Sequence, residues 1–418
     1  MNGWFIMKFK IKNTRKMEGT IYISGSKNAC LAEMATAILT KDKVVLNNVP
    51  QISDIKMMIE LLKETGVSVK EEKGKLVLKR KKIHSTLENN YLNKIRASYY
   101  LMGSLFSVSK SFSTSYPGGC AFDKRPIDFH LEAFQKMGGK LEEKNNKLTV
   151  KIKKKIPAAI KLSYPSVGAT INIILASVLT RGETTIINPS KEPEVLDFIL
   201  LLQKMKANIY IDKDKIIVQG VRKLFGTKHT VMPDRIEAGS YLFLASSMDY
   251  AHLIIRNINI LHLDEVIETL RNINVLIKIS KNSIILIKNE KTKGTKILAD
   301  IYPSFPTDLQ QIACATLFNS SSVSLVRDLV YKNRFSEVKE LQKMNALFYL
   351  KDTKLLIFPS KLTGHLVEAS DLRAGFSLII AGCLASGETI IEKAEIIMRG
   401  YEDVIGKLKN CGINIMVE

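Results

Sequence analysis

In the stretch Tyr116-Pro117-Gly118-Gly119-Cys120-Ala121-Phe122-Asp123-Lys124-Arg125, a cysteine follows paired glycines and precedes two cations. Adjacent glycines predict a loop, because they alone adopt positive φ without steric cost. Fixed cations beside a thiol favour its thiolate, the form that reacts. The Arg125 guanidinium is a planar fork matched to a phosphate or a carboxylate. Read alone, the stretch is either a reactive loop thiol or a surface turn with a bystander cysteine.

A second group of chemistry-bearing residues opens helical segments. Gly25-Ser26-Lys27-Asn28, Arg96-Ala97-Ser98, Ser166-Val167-Gly168-Ala169-Thr170, Pro233-Asp234-Arg235-Ile236-Glu237, Phe305-Pro306-Thr307-Asp308 and Asp371-Leu372-Arg373-Ala374 each precede or begin a run rich in small and apolar residues. A helix N-terminus presents free N–H groups and the positive end of the dipole, so it attracts anions. Thr307 and Asp371 have the side chains of N-caps. Lys27, Arg96 and Arg373 oppose the dipole, which points to an anionic ligand rather than to helix stability. Arg125 and Arg399 are expected just before the second helix of their segments. Asp308 is the carboxylate among these cations: a base toward a hydroxyl, or simply a favourable first-turn acid. Asp128 and His130 stand at the edge of the set, where packing and solvation explain them as readily as a site does.

These helix starts recur roughly every 70 residues, long enough for a whole supersecondary unit. A β-branched segment follows several of them, such as Gly182-Glu183-Thr184-Thr185-Ile186-Ile187. An amphipathic helix comes next; Asp54–Thr65 carries Ile55, Met58, Ile59 and Leu62 on one face, with Gly66 as its C-cap. Alternating strands then close the unit. The pattern predicts an α/β chain of six repeated βαβαββ-type units in two domains of three. Residues 25–232 would form the first domain, carrying the Cys120 loop, and 1–24 with 233–418 the second. The small-residue helices are too apolar for a surface and should lie at the domain centres with strands outside. The strand Met7–Ile11 has no copy of its own and should complete the last unit beside Ile413–Val417.

Composition narrows the partners. Net charge is +21, with 46% hydrophobic and 25% charged residues. The lysines alternate with apolar residues along expected strands, and no basic run is interleaved with aromatics. Nucleic acid and membrane are therefore disfavoured, and anionic small substrates remain. The five cysteines suggest no disulfide framework or zinc spacing, and Cys30, Cys314, Cys383 and Cys411 read as core thiols. The histidines have no metal-ligand spacing, and there is no P-loop or dinucleotide fingerprint, so no metal or cofactor is expected. Met1–Met7 lacks the features of a signal peptide. A reduced, cytoplasmic protein is the expectation, with oligomeric state left open.

Taken in order, these motifs, together with Arg125-Pro126-Ile127-Asp128-Phe129-His130, Asn333-Arg334-Phe335 and Arg399-Gly400-Tyr401-Glu402, resemble the enolpyruvyl transferases, in the branch that acts on UDP-N-acetylglucosamine. The resemblance spans essentially the whole chain. The related 5-enolpyruvylshikimate-3-phosphate synthases share the six-unit fold but lack the Cys120-bearing loop. The resemblance implies two inside-out α/β barrel domains. It implies transfer of the enolpyruvyl group of phosphoenolpyruvate to the sugar 3-hydroxyl through a tetrahedral ketal, the first committed step of peptidoglycan synthesis. It further implies that Cys120 protonates the phosphoenolpyruvate methylene, that Lys27, Arg125 and Arg399 hold its phosphate and carboxylate, and that Asp308 is the base. Asn28 would touch the sugar, and Arg96 would bind near the reacting groups. Arg125, Pro126, Ile127, Asp128 and Phe129 would line the uridine site. Ser166, Val167 and Gly168 would offer N–H groups to the diphosphate, Val330 would edge the sugar, and Arg334 and Arg373 complete the binding set. Asp123-Lys124, Tyr164, Tyr100, Met398 and Ala32 depart from the family pattern without removing a reacting group. Two alternatives stand beside this reading: a transferase for another nucleotide sugar, and a catalytically silent anion-binding paralogue.

Overall fold

The helices α1 (Lys27–Ala35), α2 (Ser53–Glu64), α3 (Tyr100–Val108), α4 (Asp128–Lys136), α5 (Val167–Ser177), α6 (Pro193–Lys204), α7 (Arg235–Ser247), α8 (Asp264–Asn272), α9 (Thr307–Leu317), α10 (Glu337–Lys343), α11 (Leu372–Leu384) and α12 (Val404–Lys409) alternate in character. The odd-numbered ones are the small-residue segments. α7 is buried along its whole length, and α11 at every position except Leu372. The even-numbered ones bury one face only. In α2, Ile55, Met58, Ile59 and Leu62 are buried while Lys56, Glu60 and Lys63 face solvent. The computed structural model describes residues 7–118, 127–145 and 147–418. Cys120, Arg125 and Pro126 therefore lie outside the described residues, as do Asp123 and Lys124.

The described residues divide into two compact units, 25–118 with 127–232, and 7–24 with 233–418. Each has its own hydrophobic core. In the 25–232 unit, α3 packs against α1 and α5. Buried hydroxyls join these helices: Ser104 Oγ donates to the Ala35 carbonyl at 2.9 Å and Ser107 Oγ to that of Leu175 at 2.6 Å. Small side chains allow the helices to approach closely enough for these bonds, each worth about 1 kcal/mol net. In the other unit α7, α9 and α11 pack on one another, and Thr316 Oγ1 reaches the Phe243 carbonyl at 3.0 Å.

Among the described residues the strands form six sheets, three to a unit. Lys43–Asn47 lies between Thr227–Thr230, which runs parallel to it, and the hairpin Lys75–Arg80/Val67–Glu72. In the other unit Tyr250–Arg256 lies between Lys16–Tyr22 and the hairpin Ser283–Lys288/Leu276–Ser280. The strand Lys16–Tyr22 was not anticipated from the sequence. Phe9–Lys12 pairs antiparallel with both Ile415–Val417 and Glu388–Glu392, which gives the N-terminal strand its place.

α12 begins only at Val404, because Asp403 takes a left-handed conformation (φ 46°) and its side chain accepts from Gly406 N–H. α10 begins at Glu337, and the Phe335 ring just before it is buried in the core. Cys30, Cys314, Cys383 and Cys411 are free and buried, as expected of core thiols; burial pushes Cys383 up to about 12 and Cys411 up to about 11. No helix among the described residues is long and apolar enough to cross a membrane.

Candidate active site

In the 25–232 unit the site begins at α1. Ser26 caps the helix by accepting from Ala29 N–H at 3.4 Å. Gly25 has no room for a side chain, since a Cβ there would sit 1.7 Å from the Asn48 carbonyl oxygen. That close approach sets the path of the chain into Lys27. The Lys27 ammonium donates to Asp54 Oδ2 at 3.2 Å, with the two side chains 14% and 6% exposed. Asp54 lies in the first turn of α2, where it also suits the dipole. Asn28 is exposed.

Arg96 opens a short 3₁₀ turn, Arg96–Tyr99, that leads into α3, and its guanidinium lies 5.6 Å from the Tyr99 ring centroid. Tyr99 reaches the start of α5: a Cβ on Gly168 would fall 2.7 Å from its hydroxyl oxygen. Glycine at 168 is what lets this ring lie there, so Tyr99 links Arg96 to the first turn of α5. Ser166 caps that turn by accepting from Ala169 N–H at 3.3 Å, while Val167 and Gly168 N–H have no intrahelical acceptor by position. Ile127 is buried in the core, Asp128 is exposed and Phe129 half-buried. His130 is a packing residue. It lies 4.9 Å from the Tyr99 ring, and its Nδ1 accepts from Asn172 Nδ2 at 2.9 Å; the same amide's Oδ1 accepts from Gly103 N–H. Burial, with Arg96 adding to it, pushes His130 down to about 3, so the ring is neutral.

The other unit holds a carboxylate between two guanidinium groups. Arg334 Nη2 donates to Asp308 Oδ1 at 2.6 Å, and Arg373 Nη2 to Oδ2 at 3.0 Å. The arginine side chains are 4% and 5% exposed, against 28% for Asp308. Burial alone would lower both arginine pKa values. Asp308 for Arg334, and Tyr401 with Asp308 for Arg373, outweigh it and hold both above the ordinary value. Arg373 Nη1 also donates to Tyr401 Oη at 3.1 Å. Tyr401 Oη lies 2.8 Å from Ser240 Oγ, whose hydrogen goes to the Ile236 carbonyl; the phenol hydrogen therefore points to Ser240.

Thr307 is not the N-cap of α9. It is the first helical residue, and its hydroxyl is held elsewhere: it donates to Asp328 Oδ2 at 2.5 Å and accepts from Arg334 Nη1 at 3.1 Å. Asp328 Oδ1 accepts from both Val330 and Tyr331 N–H, at 2.8 and 2.9 Å, so one buried acid sets the turn carrying Val330 and orients Arg334 through Thr307. Asp371 is the N-cap of α11, accepting from Arg373 and Ala374 N–H. Beside it, Gln311 Nε2 donates to Glu337 Oε2 at 2.9 Å. Burial pushes Glu337 up to about 8. Arg399 does not open a helix. It ends the 3₁₀ segment Ala394–Arg399, since Asp403 delays the next helix.

Sequence reasoning missed Asp54, Tyr99 and Asp328. Asp54 resembles any first-turn acid, and Asp328 lies at a strand end where nothing in local spacing marks it. Tyr401 lay inside a quoted motif, but its bond to Arg373 was not legible there.

Residues 11–408 match the family model described as EPSP synthase (3-phosphoshikimate 1-carboxyvinyltransferase). The chain is 39% identical over 415 residues to UDP-N-acetylglucosamine 1-carboxyvinyltransferase 2 of Bacillus cereus, covering 98% of this chain and 96% of that one. Its namesake in Bacillus subtilis is 38% identical over 415 residues, with the same coverage. The crystal structure of the enolpyruvyl transferase NikO from Streptomyces tendae superposes with a TM-score of 0.88 at 19% identity, covering 99% of each chain, so the mixed α/β fold is shared. Matched along nearly its whole length in sequence and in fold, the chain belongs to the EPSP synthase family of enolpyruvyl transferases.

Proposed function

We propose that this protein is an enolpyruvyl transferase that moves the enolpyruvyl group of phosphoenolpyruvate to the 3-hydroxyl of UDP-N-acetylglucosamine, releasing phosphate. The observation that carries this reading is 39% identity over 415 residues to a relative named for the reaction. In addition, the sugar oxygen bonds to C2 of phosphoenolpyruvate, its proton passes to Asp308, and Cys120 supplies a proton to the methylene carbon, giving the ketal. In elimination, a proton passes from the new methyl group back to the Cys120 thiolate, the double bond reforms, and phosphate departs taking up the proton held by Asp308. Lys27, Arg125 and Arg399 bind the phosphate and carboxylate, and Arg96 binds close to them. Asn28, Val330, the segment 125–129 and the first turn of α5 bind the nucleotide sugar. Arg334 and Arg373 hold Asp308 in place. Cations matched to developing anionic charge are the usual source of such catalysis. No cofactor enters this scheme.

The finer architecture belongs to the same proposal: six βαβαββ-type units, as two inside-out barrels spanning 25–232, and 1–24 with 233–418. Three sheets and three buried helices in each described unit support it. A cytoplasmic location and a role in peptidoglycan synthesis go with these substrates. A phosphate-release assay with phosphoenolpyruvate and UDP-N-acetylglucosamine tests the reading. Absence of release with this sugar sinks it, and release only with another UDP-sugar assigns a different acceptor.

A further inference from the structure

Away from the groups described above, the 25–232 unit contains a buried set of mixed donors. Glu33 of α1, Asp197 of α6 and His229 of the strand Thr227–Thr230 bring Glu33 Oε, Asp197 Oδ1 and His229 Nε2 within 4.8 Å of one another. Glu33 is 0% exposed and His229 2%. Neither oxygen of Glu33 receives a hydrogen bond of good geometry, nor does His229 Nε2 make one; the ring stands only at ion-pair distance from the two acids. A fully buried carboxylate held by so loose a contact is costly, and such groups are usually well hydrogen-bonded or bound to a cation. His229 Nε2 lies 3.2 Å from Asp197 Oδ1 and 3.5 Å from Glu33 Oε1. Ligands about 2.0–2.1 Å from a tetrahedral ion stand about 3.4 Å apart, so these two separations match its edges, while the two acids need only lie within 4.8 Å of each other.

We propose that Glu33, Asp197 and His229 form a buried site for a divalent transition-metal ion of the Zn²⁺ class. Imidazole and carboxylate together suit that class, and three protein ligands leave one position for water. Asp197, 13% exposed, gives the route in. Its other oxygen, Oδ2, accepts from Met232 N–H at 2.9 Å, so the ion ties α1, α6 and the end of this unit's chain into one point. The sequence could not show it, because the ligands stand at 33, 197 and 229 with no motif spacing. Two features oppose binding: against burial, Asp197 and Glu33 raise His229 to about 9, so an ion must displace a held proton, and a cation stands at the ring's other nitrogen. Lys204 Nζ lies 3.1 Å from His229 Nδ1. Metal at Nε2 leaves the proton on Nδ1, where an acceptor belongs and an ammonium does not. Lys204 is exposed and can swing into solvent. Replacing it with an acceptor should therefore improve the site.

The test titrates the full chain with Co²⁺ and follows visible absorption, then displaces Co²⁺ with Zn²⁺ and measures the melting temperature. Wild type should take up one Co²⁺ with the spectrum of a four-coordinate ion, and Zn²⁺ should displace it and raise the melting temperature. Glu33→Gln, a near-isostere whose folding is checked by circular dichroism, should bind at least about tenfold more weakly; Lys204→Gln should bind several-fold more tightly, as outer-shell partners of a ligating histidine do. Equal affinity in wild type and Glu33→Gln, or no four-coordinate spectrum in either wild type or Lys204→Gln, overturns the proposal. The second outcome leaves the cluster as a proton-sharing ion pair. No enzymatic activity enters the readout, so the result is independent of the transferase reading.

Discussion

Asp308 has two jobs in this structure, and substitution can separate them. It is the proposed base, and it is the counter-charge of Arg334 and Arg373, which are 4% and 5% exposed. Unit charges about 4 Å apart interact by about 4 kcal/mol at an effective dielectric of 20, and removing one partner of a buried pair costs about 3–5 kcal/mol. Asp308 is itself 28% exposed, so water replaces part of what is lost. Asp308→Ala should therefore cost about 2–3 kcal/mol of stability, read as a shift in urea midpoint at constant m. Asp308→Asn keeps one acceptor oxygen and the shape, and should recover roughly half of that. Turnover should behave differently. A base contributes about 10²–10⁴-fold, so Asn and Ala should both lose at least about a hundredfold in kcat, with KM for the nucleotide sugar changed far less. Stability partly restored by Asn and turnover not restored is the signature of a base that also holds its neighbours. If Asp308→Asn keeps more than about a tenth of wild-type turnover, proton abstraction lies elsewhere. If Asp308→Ala shifts stability by less than about 0.5 kcal/mol, the two guanidinium contacts do not hold in solution.

Tyr401→Phe removes the acceptor of Arg373 Nη1 and the donor to Ser240 inside the core; urea unfolding should show a loss of about 1–3 kcal/mol, and an unchanged midpoint would contradict the bonds. Asp54→Asn takes the counter-charge from Lys27 and should lower kcat/KM for phosphoenolpyruvate about tenfold in the phosphate-release assay, with Asp54→Glu restoring part of it; equal activity in all three proteins would show that Lys27 needs no such support. Glu337 tests the pH dependence. Burial raises its folded-state pKa from 4.5 to about 8, so the native state holds a proton that the unfolded chain releases, and wild type loses stability as pH rises from about 4.5 through about 8. Glu337→Gln mimics the protonated form and removes that loss, so its unfolding free energy in urea should match wild type near pH 5 and exceed it near pH 9, by an amount with a ceiling of roughly 5 kcal/mol. A constant difference across that range would place the titration elsewhere.

The helix starts were legible because they are local. Small residues at helical spacing, with Ser26, Ser166 or Asp371 just ahead, specify a buried capped helix, and Asp371 caps as read. The place of the N-terminal strand was legible by subtraction, since the last hairpin lacked one member. What stayed hidden was the choice of charge partner, because it is made by tertiary packing. Lys27 meets Asp54 across 27 residues, Arg373 meets Asp308 across 65, and Tyr401 meets Ser240 across 161. This alters the electrostatic argument made from sequence. Lys27 and Arg373 do oppose their helix dipoles, but each has a carboxylate beside it. A cation as buried as Arg373 could not be kept in the fold without one. In the proposed reaction, a substrate anion arriving at either cation would therefore meet a pair already formed and would have to compete with the acid or polarise it. At Lys27 the competitor would be Asp54, which holds the ammonium in place. At Arg373 it is Asp308, and there a proton taken up from the sugar hydroxyl would neutralise the competitor and leave the guanidinium groups to the phosphate and carboxylate of the substrate. The guanidinium groups would then turn from holding the base to stabilising the anion, so the same three side chains would serve the resting protein and the reacting one.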